Sequence, residues 1–172
     1  MAIVTTAHLL EFGKIVHFYA SVEWGIRCML AGILETPLVE ALVVTEPYSA
    51  LNLKNVAKSA VKLSKLPEKD QKAFVQIVGD WSSFGPLRNA IAHNRWQTGT
   101  REGSIAPFRV DIRSGSAKLI GAGDDRDWTA AELASEAMRL HHLNERAKKF
   151  YAESGLAAVM EAKDAERSPK TA

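Results

Sequence analysis

One run of the chain decides most of what it can become. From about residue 7 to residue 34, Leu9, Phe12, Val16, Tyr19, Val22, Ile26, Met29 and Ile33 recur at steps of three and four. That spacing places them on one side of an α-helix. A helix of this length carries an apolar stripe that needs cover along its whole extent, and other helices are the simplest cover. The stretch IVHFYASVEWGIRCMLAGIL approaches membrane-crossing length, yet His17, Glu23 and Arg27 interrupt it. Charged groups so placed mark an amphipathic core helix rather than a bilayer span.

The rest of the chain supplies the cover. Thr36 offers an N-cap with Pro37 at the first helical position, and the short apolar segment that follows ends near Pro47. From about residue 49 to 66, Leu53, Val56, Ala60 and Leu63 keep helical spacing, while Lys54, Lys58, Lys62 and Lys65 lie mostly off that stripe as a solvated face. Pro67, Glu68 and Asp70 suit the first turn of another helix, whose buried stripe is Phe74, Ile77, Val78 and Trp81. Gly85-Pro86 breaks the chain, and a new helix begins there.

Beyond Trp96 the texture changes. QTGTREGS is turn chemistry, FRVDIR alternates apolar and polar residues, SGS turns the chain and AKLI returns it, so residues 107–121 read as a β-hairpin. GAGDDRD follows as a loop. Thr129 and Glu132 then match a T-x-x-E capping box, opening a helix through about Ser154 that Gly155 stops. The expected fold is all-α, a helical bundle with one small β-hairpin inserted before its last long helix. Residues 1–155 read as one domain, and 156–172 as a polar, partly disordered tail.

Composition narrows the function classes. A net charge of +2 over 172 residues creates no field strong enough to announce a nucleic-acid binder, so contact with a polyanion must rest on a local cluster. Cys28 is the only cysteine and reads as a small buried hydrophobe; a reducing compartment, and hence the cytoplasm, is the expected setting. No basic residue precedes Lys14, unlike the start of a secretory signal.

The stretch GPLRNAIAHNRW, residues 85–96, raises the functional question. It sets Arg88, Asn89 and His93 among small or apolar neighbours. Asn89 and His93, four apart, share a helix face with Trp96 three further on, whereas Arg88 and His93 are separated by about 140°. Two copies of the helix packed across a two-fold axis would bring these groups into one cleft. The glycine-proline break also puts Arg88 and Asn89 in a first turn, where free N–H groups favour an anion. An imidazole that moves protons near neutrality and a guanidinium that grips phosphate oxygens suffice to cut RNA without metal, since RNA carries its own 2′-hydroxyl nucleophile. A histidine on a helix is commonly structural, and spacing alone does not choose between the two readings.

The sextet RNAIAH, Arg88 to His93, resembles the R-x(4–6)-H motif of the HEPN superfamily, with the polar residue that commonly follows the arginine. Its setting is similar too, late in an all-helical domain and over about residues 7–155. The resemblance implies a helical bundle that dimerises through the motif helices. It also implies metal-independent endoribonuclease activity, with Arg88 and His93 as the catalytic pair and Asn89 as accessory. Toxin–antitoxin or phage-defence roles, RNA or a nucleotide as ligand, and a neutralising antitoxin partner come with it. Members that only bind nucleotides or RNA, or serve as structural dimers, form the alternative.

Two further residues are candidates. Glu23 interrupts the first stripe and needs a cation: Arg88, or Arg27 at i+4. Arg95 is placed to add a phosphate contact from the motif helix. His141 and His142 are adjacent and point to different faces, so they do not read as a metal site; neither metal nor cofactor is expected.

Overall fold

The structure, a computed structural model, describes residues 3–113, 116–120 and 127–167. The elements in chain order are α1 (Thr6–Ile33), α2 (Leu38–Thr45), α3 (Ala50–Leu63), α4 (Glu68–Ser83), α5 (Gly85–His93), β1 (Arg95–Thr98), β2 (Ser104–Arg113), β3 (Ser116–Ile120), β4 (Trp128–Thr129), α6 (Ala130–Glu153) and α7 (Leu156–Arg167). The fold is thus mostly α-helical, with a small antiparallel sheet between α5 and α6. Within the span read as one domain, the chain forms two compact units.

The first unit comprises Met1–Tyr19 and Gly85–His141. Its core is built from Phe12, Ile15 and Tyr19 of α1, Ile105 and Ala106 of β2, and Leu133, Ala137 and Leu140 of α6. The expected hairpin is present as β2 and β3, antiparallel with Val110 opposite Leu119; its tip, residues 114–115, and the loop residues 121–126 lie outside the described residues. Two strands were not expected. β1 pairs antiparallel with β2, Trp96 opposite Pro107, and β4 pairs with β2, Ile105 opposite Trp128. The capping box at the start of α6 forms as read: Thr129 N–H donates to Glu132 Oε2 at 2.9 Å, and Glu132 N–H to Thr129 Oγ1 at 3.2 Å. Glu132 also takes both guanidinium nitrogens of Arg101, at 2.9 and 2.8 Å. Those bonds, with the Thr129 amide, draw its carboxyl pKa down to about 2.

The second unit comprises Ala20–Phe84 and His142–Ala172. Here Val22, Ile26, Met29 and Leu30 of α1 are buried, as are Leu53, Ala57 and Val61 of α3, Phe74, Ile77, Val78 and Trp81 of α4, and Leu143 and Ala147 of α6. Each large side chain so buried contributes roughly 1.5–3 kcal/mol. Cys28 lies among them, and burial pushes its thiol pKa up. Pro37 and Pro67 stand one place earlier than expected, at the N-caps of α2 and α4. Thr36 does not cap α2; its hydroxyl donates to Leu34 O instead.

The tail read as partly disordered is helical over Leu156–Arg167. Gly155, with φ +79°, lets the chain leave α6 in the left-handed region, and Leu156 then buries itself. The backbone of Leu156 runs so close to Gly32 of α1 that a Cβ on that glycine would stand 2.7 Å from Leu156 O. Asp164 Oδ1 accepts from the Leu38 N–H at 2.9 Å and so supplies the cap that α2 lacks locally.

The stripe on α1 is corrected at its beginning. Ile15, not Val16, is buried, and Leu9 is exposed while His8 and Glu11 are 3% and 7% exposed. Leu9, Leu10, Phe12, Ile15 and Val16 surround that part of the helix with apolar groups, so periodicity does not single out the covered side there.

Candidate functional site

The motif helix α5 is a separate piece because α4 ends at Ser83 and Phe84 N–H folds back on Trp81 O at 3.1 Å. Pro86 follows Gly85 in the first turn of the new helix, where no intrahelical donor is required of it. Leu87, Ala90 and Ile91 form the apolar side of α5, but all three are only half-buried, and no residue of the helix is fully buried.

Arg88 is half-buried. Its guanidinium carbon stands 5.9 Å from the centroid of the Tyr19 ring, and its Nη1 donates to Asn89 Oδ1 at 3.2 Å. A cation over an aromatic face at that range is attracted by the ring quadrupole. Tyr19 is itself 3% exposed, which makes it a fixed floor under the arginine. Asn89 and His93 are exposed, one turn apart on the same side of α5. The structure therefore joins Arg88 to Asn89 and aligns Asn89 with His93. Among the described residues it places no hydrogen bond or ion pair between His93 and Arg88.

The helix ends at His93, three residues sooner than expected. Asn94 N–H still bonds to Ala90 O at 3.0 Å, and the chain then turns into β1. Arg95 consequently sits exposed on a strand, not on the motif helix, and Trp96 packs on Phe12 with ring centroids 4.7 Å apart. Glu23 takes the i+4 alternative: Arg27 Nη2 donates to its Oε1 at 2.7 Å, and Arg27 Nη1 donates to Thr45 O. Arg27 is 5% exposed, so the pair is a structural tie between α1 and α2.

Three features escaped the sequence. Tyr19 reads as one more member of an apolar stripe, and only its tertiary neighbour reveals it as support for Arg88. Near the start of α1, His8 Nε2, Glu11 Oε2 and Trp96 Nε1 are buried without hydrogen-bond partners among the described residues. In the second unit a groove of about 590 Å³ runs between α4 and α6, lined by Ile77 and Phe150 together with Lys69, Arg146, Lys149 and Glu153. Among the described residues no group of three His, Cys, Asp or Glu side chains is disposed to hold a metal ion. No helix there is long and apolar enough to cross a membrane.

Comparison with protein-family models, with curated proteins and with solved structures finds no match for this chain.

Proposed function

We propose that the chain is a metal-independent endoribonuclease of HEPN type, acting in the cytoplasm as a homodimer through α5. One observation carries the reading: Asn89 and His93 stand exposed on one side of a helix that buries none of its residues fully, with Arg88 held beside them. A second copy of α5 across a two-fold axis covers the half-buried Leu87, Ala90 and Ile91 and sets two motifs in one groove.

The chemistry follows from the residue types. The 2′-hydroxyl oxygen of a nucleotide attacks the adjacent phosphorus and loses its proton to a neutral His93 imidazole. The P–O2′ bond forms as the P–O5′ bond breaks, and a protonated His93 imidazole gives its proton to the leaving 5′ oxygen. The products are a 2′,3′-cyclic phosphate and a 5′-hydroxyl. Arg88 neutralises charge on the non-bridging oxygens, with Asn89 orienting its guanidinium. A role as a toxin or phage-defence component, with a neutralising partner, is the setting in which such a nuclease is expected.

Incubating the purified protein with RNA in EDTA tests the reading. Cleavage that disappears in both Arg88→Ala and His93→Ala, with cyclic phosphate ends on the products, supports it. RNA bound but uncut, and released by the same substitutions, makes the site a binding module instead. Neither cutting nor binding, with only the dimer's melting temperature altered, leaves α5 a structural interface.

A further inference from the structure

The second unit exposes an apolar surface that the nuclease reading does not use. On α2 only Ala41 and Thr45 are buried, while Val39, Val43 and Val44 turn outward, Val43 being 71% exposed. Leu34 precedes this helix and Leu51 opens the next, both exposed. Leu51 shares one face of α3 with Lys54, Lys58 and Lys62 at helical spacing. α3 contains no acidic residue, and its three lysines have no ion-pair partner among the described residues. The acids nearby are Glu35, which pairs with Lys65 at 2.7 Å, Glu40, which meets Arg167 at 3.7 Å, Asp164, which accepts from the Leu38 N–H, and the exposed Glu46. Four residues join α2 to α3, and Lys65, just past α3, meets Glu35, just before α2, so the two helices run alongside each other and the lysine row follows the aliphatic ridge.

From this pairing we infer that α2 and the lysine face of α3 form a docking surface for an anionic lipid bilayer. The valines and Leu51 enter the boundary between headgroups and acyl chains, and Lys54, Lys58 and Lys62 meet the phosphates. The lysines are what select this occupant. An aliphatic ridge gains nothing from RNA, whose unpaired bases are held by aromatic or arginine planes. A second copy would set like-charged lysine rows near one another across a two-fold axis. The convex outward side of a short helix also suits a deformable fluid surface.

The test is sedimentation of the full chain with vesicles of phosphatidylcholine, with and without phosphatidylglycerol. The protein is expected to pellet only with the anionic vesicles. Binding is expected to weaken as salt shortens the screening length from about 10 Å at 0.1 M to about 3 Å at 1 M. Replacing Lys58 or Lys62 by alanine lowers the partition coefficient about fivefold each. Val43→Glu lowers it more than tenfold and, being on the surface, leaves the circular dichroism spectrum unchanged. Equal pelleting with neutral vesicles, or none with either, overturns the inference. So does a sedimentation-velocity shift from dimer to monomer in Val43→Glu without vesicle binding, which gives the ridge to a second copy. RNA retention lost in the lysine variants, again without vesicle binding, gives the row to RNA.

Discussion

Two glycines of α1 make a matched test of how closely α7 packs. Gly25 and Gly32 both lie within the helix, but an added Cβ meets nothing within 4 Å at Gly25. At Gly32 the same atom stands 2.7 Å from Leu156 O, 3.0 Å from Leu156 Cβ and 3.2 Å from Leu156 C. Two of those atoms are backbone and cannot swing aside. Alanine in a helix interior gains about 0.5–1 kcal/mol over glycine, so Gly25→Ala is expected to stabilise by that amount. Overpacking costs about 1–3 kcal/mol, which offsets the same gain at Gly32 and leaves a net loss of up to about 2.5 kcal/mol. The helix gain is common to both, so the two variants should differ by the overpacking cost, about 1–3 kcal/mol, or roughly 2–12 °C in melting temperature for a chain of this size. Differential scanning calorimetry of both variants decides the matter. A Gly32→Ala protein that melts at or above Gly25→Ala refutes the close approach and, with it, the packing of α7 on α1.

Arg27→Met should lower stability by about 3 kcal/mol in urea titration, because the Thr45 carbonyl and Glu23 lose a buried charged donor. Glu23→Gln should cost about 1 kcal/mol, since that carboxylate is partly solvated. Glu132 carries a pH signature: its carboxyl pKa is lowered from 4.5 to about 2 by Arg101 and the Thr129 amide, so its stabilisation is complete above pH 4.5 and lost on descent toward pH 2. A melting curve for Glu132→Gln that falls across that window as steeply as the native protein's removes the assignment. At the motif, His93→Ala should slow RNA cleavage by a factor on the order of 10²–10⁴, read from single-turnover kinetics in EDTA. An unchanged rate excludes proton transfer by that imidazole.

What the sequence disclosed was mainly what neighbours along the chain decide. Thr129 and Glu132 lie three residues apart, and the capping box they announce is present. Gly155 stops α6 as read because positive φ is a local demand. The hairpin of β2 and β3 likewise follows from alternation and a turn. The misread elements depend on distant partners. β1 exists because Trp96 lies opposite Pro107 and rests on Phe12, and nothing within NRWQT signals that. α7 was masked by its charge, although Leu156, Val159 and Met160 offered helical spacing. Of the candidate site, Arg88, Asn89 and His93 fall on one helix as the spacing requires, and Arg95 does not, because β-pairing ends α5 at His93.

The bond from the Leu38 amide to Asp164 spans 126 residues. On the ribosome, α2 therefore emerges long before the carboxylate that closes its first turn. Until Asp164 is synthesised, that amide has only water as its partner. Completion of the second unit thus waits on translation of its final helix.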